Sequence, residues 1–143
     1  MMFCSRLLTL LALVLLSSCG TGFHRQWEQA QVPGTSIEAR WQGTCTSSFN
    51  GHSGKLLCLV GPEKPGHTRE FRYFATWAKI FRGSFNAIHD VTEKSGVTTF
   101  KARHDIGKRG TFNAEGTITP TEFRATYKAA GDHGVFVLKR PGD

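Results

Sequence analysis

The side chains of this sequence with the greatest chemical capacity are histidines, aspartates and two thiols spread between residues 45 and 133. His52, His104 and His133, with Asp105 or Asp132, supply the donor types of a divalent metal or acid–base site. The spacing argues against that chemistry, because neither His-x-x-His nor HExxH occurs, and GxSxG, P-loop and Cys-x-x-Cys patterns are missing as well. The same residues are turn formers whose side chains bond local backbone, or a polar gate fixing the head group of an apolar ligand. The expectation is therefore a protein with no catalytic residues, no metal and no cofactor. Cys45 and Cys58 lie nearly equidistant from the turn cluster Asn50-Gly51-His52-Ser53-Gly54. A hairpin turning there brings the thiols together, so an oxidising compartment would give a Cys45–Cys58 disulfide.

These residues need elements to position them, and the chain supplies strand-length runs separated by turn clusters. Thr68 to Trp77 alternates, with Phe71, Tyr73, Ala75 and Trp77 on one face and Glu70, Arg72 and Thr76 on the other. Similar runs are Phe81–Asp90 (with Phe85), Val97–His104 (with Phe100), Thr111–Ile118 (with Phe112), Glu122–Ala129 (with Phe123 and Tyr127) and Val135–Arg140. Period-two alternation recurs and no long stretch keeps a helical period. With the opening hairpin the count is about eight. Eight antiparallel strands joined in order predict an all-β up-and-down meander closed into a barrel, which removes exposed edges. In such a meander the connections after strands one, three, five and seven share one rim. That rim holds His52, Trp77-Ala78-Lys79, His104-Asp105 with Lys108 and Arg109, and Asp132-His133. His67 and His89 fall elsewhere.

The N-terminal segment is organised differently. Arg6 precedes the apolar run Leu7–Leu16, which is too short to span a bilayer comfortably and reads as a signal peptide covering residues 1–18. Leu16-Ser17-Ser18-Cys19 resembles the bacterial lipobox. That resemblance implies that Cys19 becomes the acylated first residue of the mature chain, and that Gly20 gives no inner-membrane retention signal. Several acyl chains give stable membrane anchoring. The implied address is the cell envelope, lipid-anchored at the outer membrane and facing the periplasm. Residues 19–38 are polar with Gly22, Pro33 and Gly34 and read as a tether, in which Arg25–Ala30 suits a turn or two of helix anchored by Trp27. Residues 39–143 form the barrel domain.

The chain carries 18 Lys and Arg against 11 Asp and Glu, a net charge of +7, and loss of Arg6 with the signal peptide leaves +6. Such a balance favours anionic surfaces. The cations are scattered with no Lys/Arg run, which argues against a nucleic-acid partner.

Trp41 opens the first strand and Arg140 ends the eighth, a pairing that resembles the calycin group of lipocalin-like and fatty-acid-binding-protein-like barrels. The resemblance implies a Trp41–Arg140 cation–π latch closing the barrel. The lipocalin glycine two residues before the Trp is replaced by Ala39. Gly51-His52-Ser53-Gly54-Lys55 and Asp132-His133-Gly134-Val135-Phe136 are also similar to segments of small uncharacterised bacterial secreted proteins and lipoproteins, which implies a β architecture. The resulting expectation is a monomeric envelope protein binding a small hydrophobic or amphipathic ligand. Tyr73, Phe85, Phe100, Phe112 and Tyr127 would line the cavity, with His52, His104 and His133 at its mouth. A protein-binding module, such as a periplasmic hydrolase inhibitor, or a structural lipoprotein without ligand are the alternatives.

Overall fold

Inward-facing apolar residues at every second position build the wall of this protein. The computed structural model describes residues 18–30, 37–77, 81–105, 110–129 and 131–141. Eight strands follow one helix: α1 (Ser18–Gln29), β1 (Ala39–Ser47), β2 (Ser53–Lys64), β3 (Thr68–Trp77), β4 (Phe81–Lys94), β5 (Val97–Asp105), β6 (Thr111–Ile118), β7 (Glu122–Ala129) and β8 (Asp132–Lys139). Each strand pairs antiparallel with the next, and β1 pairs antiparallel with β8, so the sheet is a closed up-and-down barrel. The end where the chain runs into β1 is called the lower end here, and the β1–β2 turn marks the upper end.

The hairpin register corrects one sequence expectation. Ser47 Oγ accepts hydrogen bonds from the amides of Phe49 (3.2 Å) and Asn50 (3.4 Å), Gly51 N–H donates to Ser47 O, and Ser47 N–H donates to His52 O. Gly51 takes φ +72°, a conformation that favours glycine. The turn is thus centred on Ser48–Gly51, and Ser53 and Gly54 belong to β2. Cys45 faces Gly54 and Cys58 faces Trp41. Four residues of extended chain separate the two thiols along the wall, about 13 Å at the rise of a strand. That exceeds disulfide reach, so Cys45 and Cys58 are free, buried thiols rather than a pair. Burial pushes the Cys45 thiol up to about 11, against a lowering hydrogen bond with Tyr127, and raises Cys58 well above its ordinary value. Both should resist alkylation under native conditions and react fully in denaturant, as counted by mass spectrometry of their peptides. A native-state disulfide between them would overturn the register.

A second difference concerns β4, which continues to Lys94 where the sequence suggested a run ending at Asp90. Ser95 (φ +53°) and Gly96 (φ +76°) form a two-residue hairpin connection, leaving Thr92–Lys94 free to pair with Val97–Thr99.

The lower half of the barrel is filled by rings and branched side chains: Trp41, Val60, Phe71, Val91, Phe100, Ile118, Phe123 and Leu138 are all buried. Phe71 and Phe123 stand on strands four apart in the eight-strand ring, yet their centroids are 6.0 Å apart, with Phe100 5.2 Å from both. The rings therefore span the bore. Arg140 lies 4.6 Å from the Trp41 ring centroid and donates from Nε to Pro120 O at 2.7 Å, while Trp41 Nε1–H donates to Ile37 O at 2.9 Å. Towards the upper end the inward positions become small, with Gly54, Ala75, Ala102, Ala114, Ala129 and Gly134 set among Phe85, Phe112 and Tyr127.

The expected tether is largely a docked helix. β2 is buried on both faces from Leu56 to Val60, and its outward Leu57 and Leu59, with Phe74 of β3, form a second apolar cluster. Phe23 and Trp27, one helical turn apart, cover that cluster, so Trp27 has a partner anchor that the sequence reading lacked. Phe23 stacks on Phe74 at 5.4 Å, and Arg40 sits 5.7 Å over the Trp27 ring. The expected signal peptide lies outside the described residues, apart from Ser18 at the start of α1.

Candidate binding site

One seam of the wall is incomplete. The ladder between β4 and β5 runs from Lys94–Val97 to Asp90–Lys101 and stops there. Above it, Phe81–His89 and Ala102–Asp105 have no backbone pairing to each other among the described residues, whereas β3 pairs with β4 from Thr68–Asp90 up to Trp77–Phe81. Such unpaired strand edges are uncommon inside a barrel wall. A groove of about 390 Å3 lies on the outer face beside the foot of the seam, lined by Asp90, Lys101, Arg103, Asn113, Glu115 and Lys128. Ala102 and Ala114, directly paired, keep the inner wall beside the seam thin.

At the foot of this seam lies the least expected polar group. The sequence set His89 apart from the rim histidines, and the structure turns it inward on β4, fully buried. Its ring packs 4.1 Å from Phe71 and 5.0 Å from Phe100, and Nε2 is 3.0 Å from Tyr73 Oη. Nδ1 has no hydrogen-bond partner among the described residues. Whichever nitrogen carries the proton, one polar atom faces an apolar surround, which costs about 1–3 kcal/mol unless a ligand or water satisfies it. Burial holds the imidazole pKa down to about 3 and raises the Tyr73 phenol well above its ordinary value, with Cys58 adding to the latter. A neutral imidazole and a neutral phenol can exchange hydrogen bonds with a carbonyl, carboxyl or hydroxyl group. The neighbouring thiol is held protonated, so this cluster has hydrogen-bonding capacity rather than a nucleophile.

The expected lining residues divide between the two halves. Phe100 belongs to the filled lower half. Tyr73 links the halves, stacking on Phe85 at 4.8 Å and touching Phe136 at 5.7 Å. Phe85 meets Phe112 edge-on at 5.3 Å, and Tyr127 stacks on Phe136 at 4.9 Å. Phe85 is only half-buried, the one ring of this set to retain that exposure.

The rim histidines do not form a cluster of ligands. His52 and His133 adjoin the same corner through their carbonyls, which accept from Ser47 N–H and Ser48 N–H, and both side chains are exposed. His104 is exposed and pairs with Phe112 across β5–β6. Among the described residues no group of three His, Cys, Asp or Glu could hold a metal ion. Asp132 instead serves the corner itself: Oδ1 accepts from Ser47 Oγ (2.6 Å) and His133 N–H (2.8 Å), and Oδ2 from Tyr127 Oη (3.0 Å). Burial pushes its carboxyl up, but these hydrogen bonds hold it below its ordinary value overall. Asp105 ends β5 opposite Thr111. Residues 78–80 and 106–109, which include the expected rim cations Lys79, Lys108 and Arg109, lie outside the described residues.

The sequence reading missed His89 as a site residue, and its signal was present. The parity that turns Phe85 and Ala87 inward continues to His89 within the run Phe81–Asp90. Neither a family model nor a curated protein matches this chain.

Proposed function

We propose that this protein is a lipid-anchored envelope protein that binds a small hydrophobic or amphipathic molecule in the upper half of its barrel. The observation that carries the reading is the unzipped β4–β5 seam above a buried imidazole with an unsatisfied nitrogen. An apolar chain would lie among Phe85, Phe112, Ala102 and Ala114, and a polar group would reach His89 and Tyr73. The protein acts as a monomeric binder without catalysis, cofactor or nucleic-acid partner, held in the cell envelope by acylation of Cys19. Among the described residues no helix is long and apolar enough to cross a membrane.

A fluorescent fatty-acid probe should bind the folded protein saturably. Ala102→Phe, which thickens the wall beside the seam, should weaken that binding at least about tenfold, the loss of about 1.4 kcal/mol. Absence of saturable binding to protein shown to be folded would sink the carrier reading. A second reading, a protein-binding module, draws on Phe49, 72% exposed on the hydrogen-bonded β1–β2 turn. Its test is loss of a hydrolase-inhibiting activity in Phe49→Ser.

A further inference from the structure

We infer that the upper rim, carrying Phe49 and the barrel mouth, is the face that rests on the bilayer. This inference rests on the proposed acylation of Cys19 and adds an orientation to it.

The direction of α1 sets the geometry. Phe23 lies on Phe74, and four residues later Trp27 lies by Arg40 at the foot of β1, while Arg72 contacts Gln26. Phe74 is two residues above Arg72 on the upward-running β3, and Arg40 and Arg72 share the level of Leu59. The helix therefore descends the outer wall. Cys19 is four residues before Phe23, about 6 Å further up at the rise of an α-helix. That brings its backbone level with the upper end of β3. The chain joins β1 from below, but the docked helix returns the attachment point to the opposite rim. An acyl chain there leaves little slack, because Phe23 and Trp27 pin the helix to the wall.

The same rim has the composition of a membrane-facing surface. Phe49 projects from a turn fixed by bonds from Ser47, Asn50 and His133, so a ring at that tip is presented to its surroundings with little ordering entropy left to lose. Lys55, Arg103 and Lys128 are exposed at upper strand ends and have no carboxylate partner among the described residues. The carboxylates at that end are Asp105 and Asp132, the latter engaged by Ser47, Tyr127 and the His133 amide. The lower half pairs more of its charges internally, Lys64 and Arg72 with Glu70, Arg69 with Glu38 and Glu63, and Arg124 with Glu122, while Lys94 and Lys139 there stay exposed. Unpaired cations around an exposed aromatic suit anionic headgroups over an apolar interior. A barrel so seated would receive an apolar ligand directly from the lipid.

The test uses the full chain, produced with its own N-terminal segment and reconstituted into vesicles of phosphatidylethanolamine and phosphatidylglycerol. Phe49→Cys and Glu93→Cys, at opposite ends, are each labelled with an environment-sensitive fluorophore in a Cys4→Ser background; buried Cys45 and Cys58 do not compete, an acylated Cys19 has no thiol to label, and the labelled peptides are identified by mass. The expected result is a blue-shifted label at 49, quenched by nitroxide-bearing lipid, and a water-like label at 93. Water-like emission at 49, or lipid quenching at 93 instead, overturns the inference. A blue shift at 49 without lipid quenching also overturns it, because the label then lies against protein, its own wall or a second copy. The mass of the Cys19 peptide from the same sample separates the two levels. With acyl chains present, a failure at 49 refutes the orientation alone. Without them, and with no protein on the vesicles, the anchor and the orientation fall together.

Discussion

Acidification from pH 6.5 towards pH 3 is expected to destabilise this barrel continuously, and His89→Phe to flatten that response. His89 has an ordinary pKa of 6.5 in the unfolded chain and about 3 in the fold, where burial among Phe71, Phe100 and Tyr73 opposes a positive charge. The folded pKa is the lower of the two, so between these values the unfolded state binds the extra proton and stability rises with pH. The contribution is fully present above pH 6.5 and is lost as pH falls, reaching a ceiling of about 5 kcal/mol near pH 3. Against the ordinary net stability of a domain, about 5–15 kcal/mol, this is large enough to cause acid unfolding. Denaturant melts at a series of pH values would measure it. The Phe variant leaves the Tyr73 hydroxyl unpartnered and lowers stability at neutral pH, but its slope between pH 6.5 and 4 should be reduced. Asp132, held below its ordinary value, adds a separate loss further into acid. An unchanged slope in His89→Phe would show that the imidazole is accessible to protons in the fold.

Gly43→Ala should be among the most damaging single-methyl additions in the chain. A Cβ at Gly43 would stand 2.0 Å from Val137 O and 2.9 Å from Leu138 Cα. Both are backbone atoms of β8, which cannot swing aside as a flexible side chain would. The seam β1–β8 closes the barrel, and Gly43 faces Leu138 across it. Gly134 makes the same demand on the other side of that seam, where a Cβ would meet Thr46 O at 2.0 Å. A loss of about 3 kcal/mol is expected for Gly43→Ala, at the upper end of overpacking effects. Equilibrium unfolding measures it, with Gly83→Ala as a control because a Cβ there meets nothing within 4 Å. Equal stability of the two variants would show that β1 and β8 are less closely apposed than described.

The sequence by itself determined the β architecture, the strand order and which face of most strands turns inward. The reason is physical: period two is the geometry of an extended chain, and most runs from Thr68 onward alternate apolar with polar residues. The Trp41 and Arg140 positions could be matched because antiparallel first and last strands must become neighbours when eight close. The place of His52 and His133 at one end follows from the same meander logic.

What the tertiary structure decided was register, covering and depth. Two turn-compatible centres exist in Ser47–Gly54, and the side chain of Ser47 selects the earlier one through its bonds to Phe49, Asn50 and Asp132. A shift of that centre by two residues displaces partners across the strands by four, which separates Cys45 from Cys58. The uninterrupted Leu56–Val60 run announced that β2 is buried on both sides, but not that Phe23 and Trp27 would supply the cover. His89 is inward by parity, yet its burial depends on Phe71 and Phe100 closing over it from two other strands. The expected ligand cavity is narrowed for the same reason: rings that read as a cavity wall along each strand meet across the bore in the lower half. Along a single strand, wall and filling look alike. Only the distance between opposite strands tells them apart.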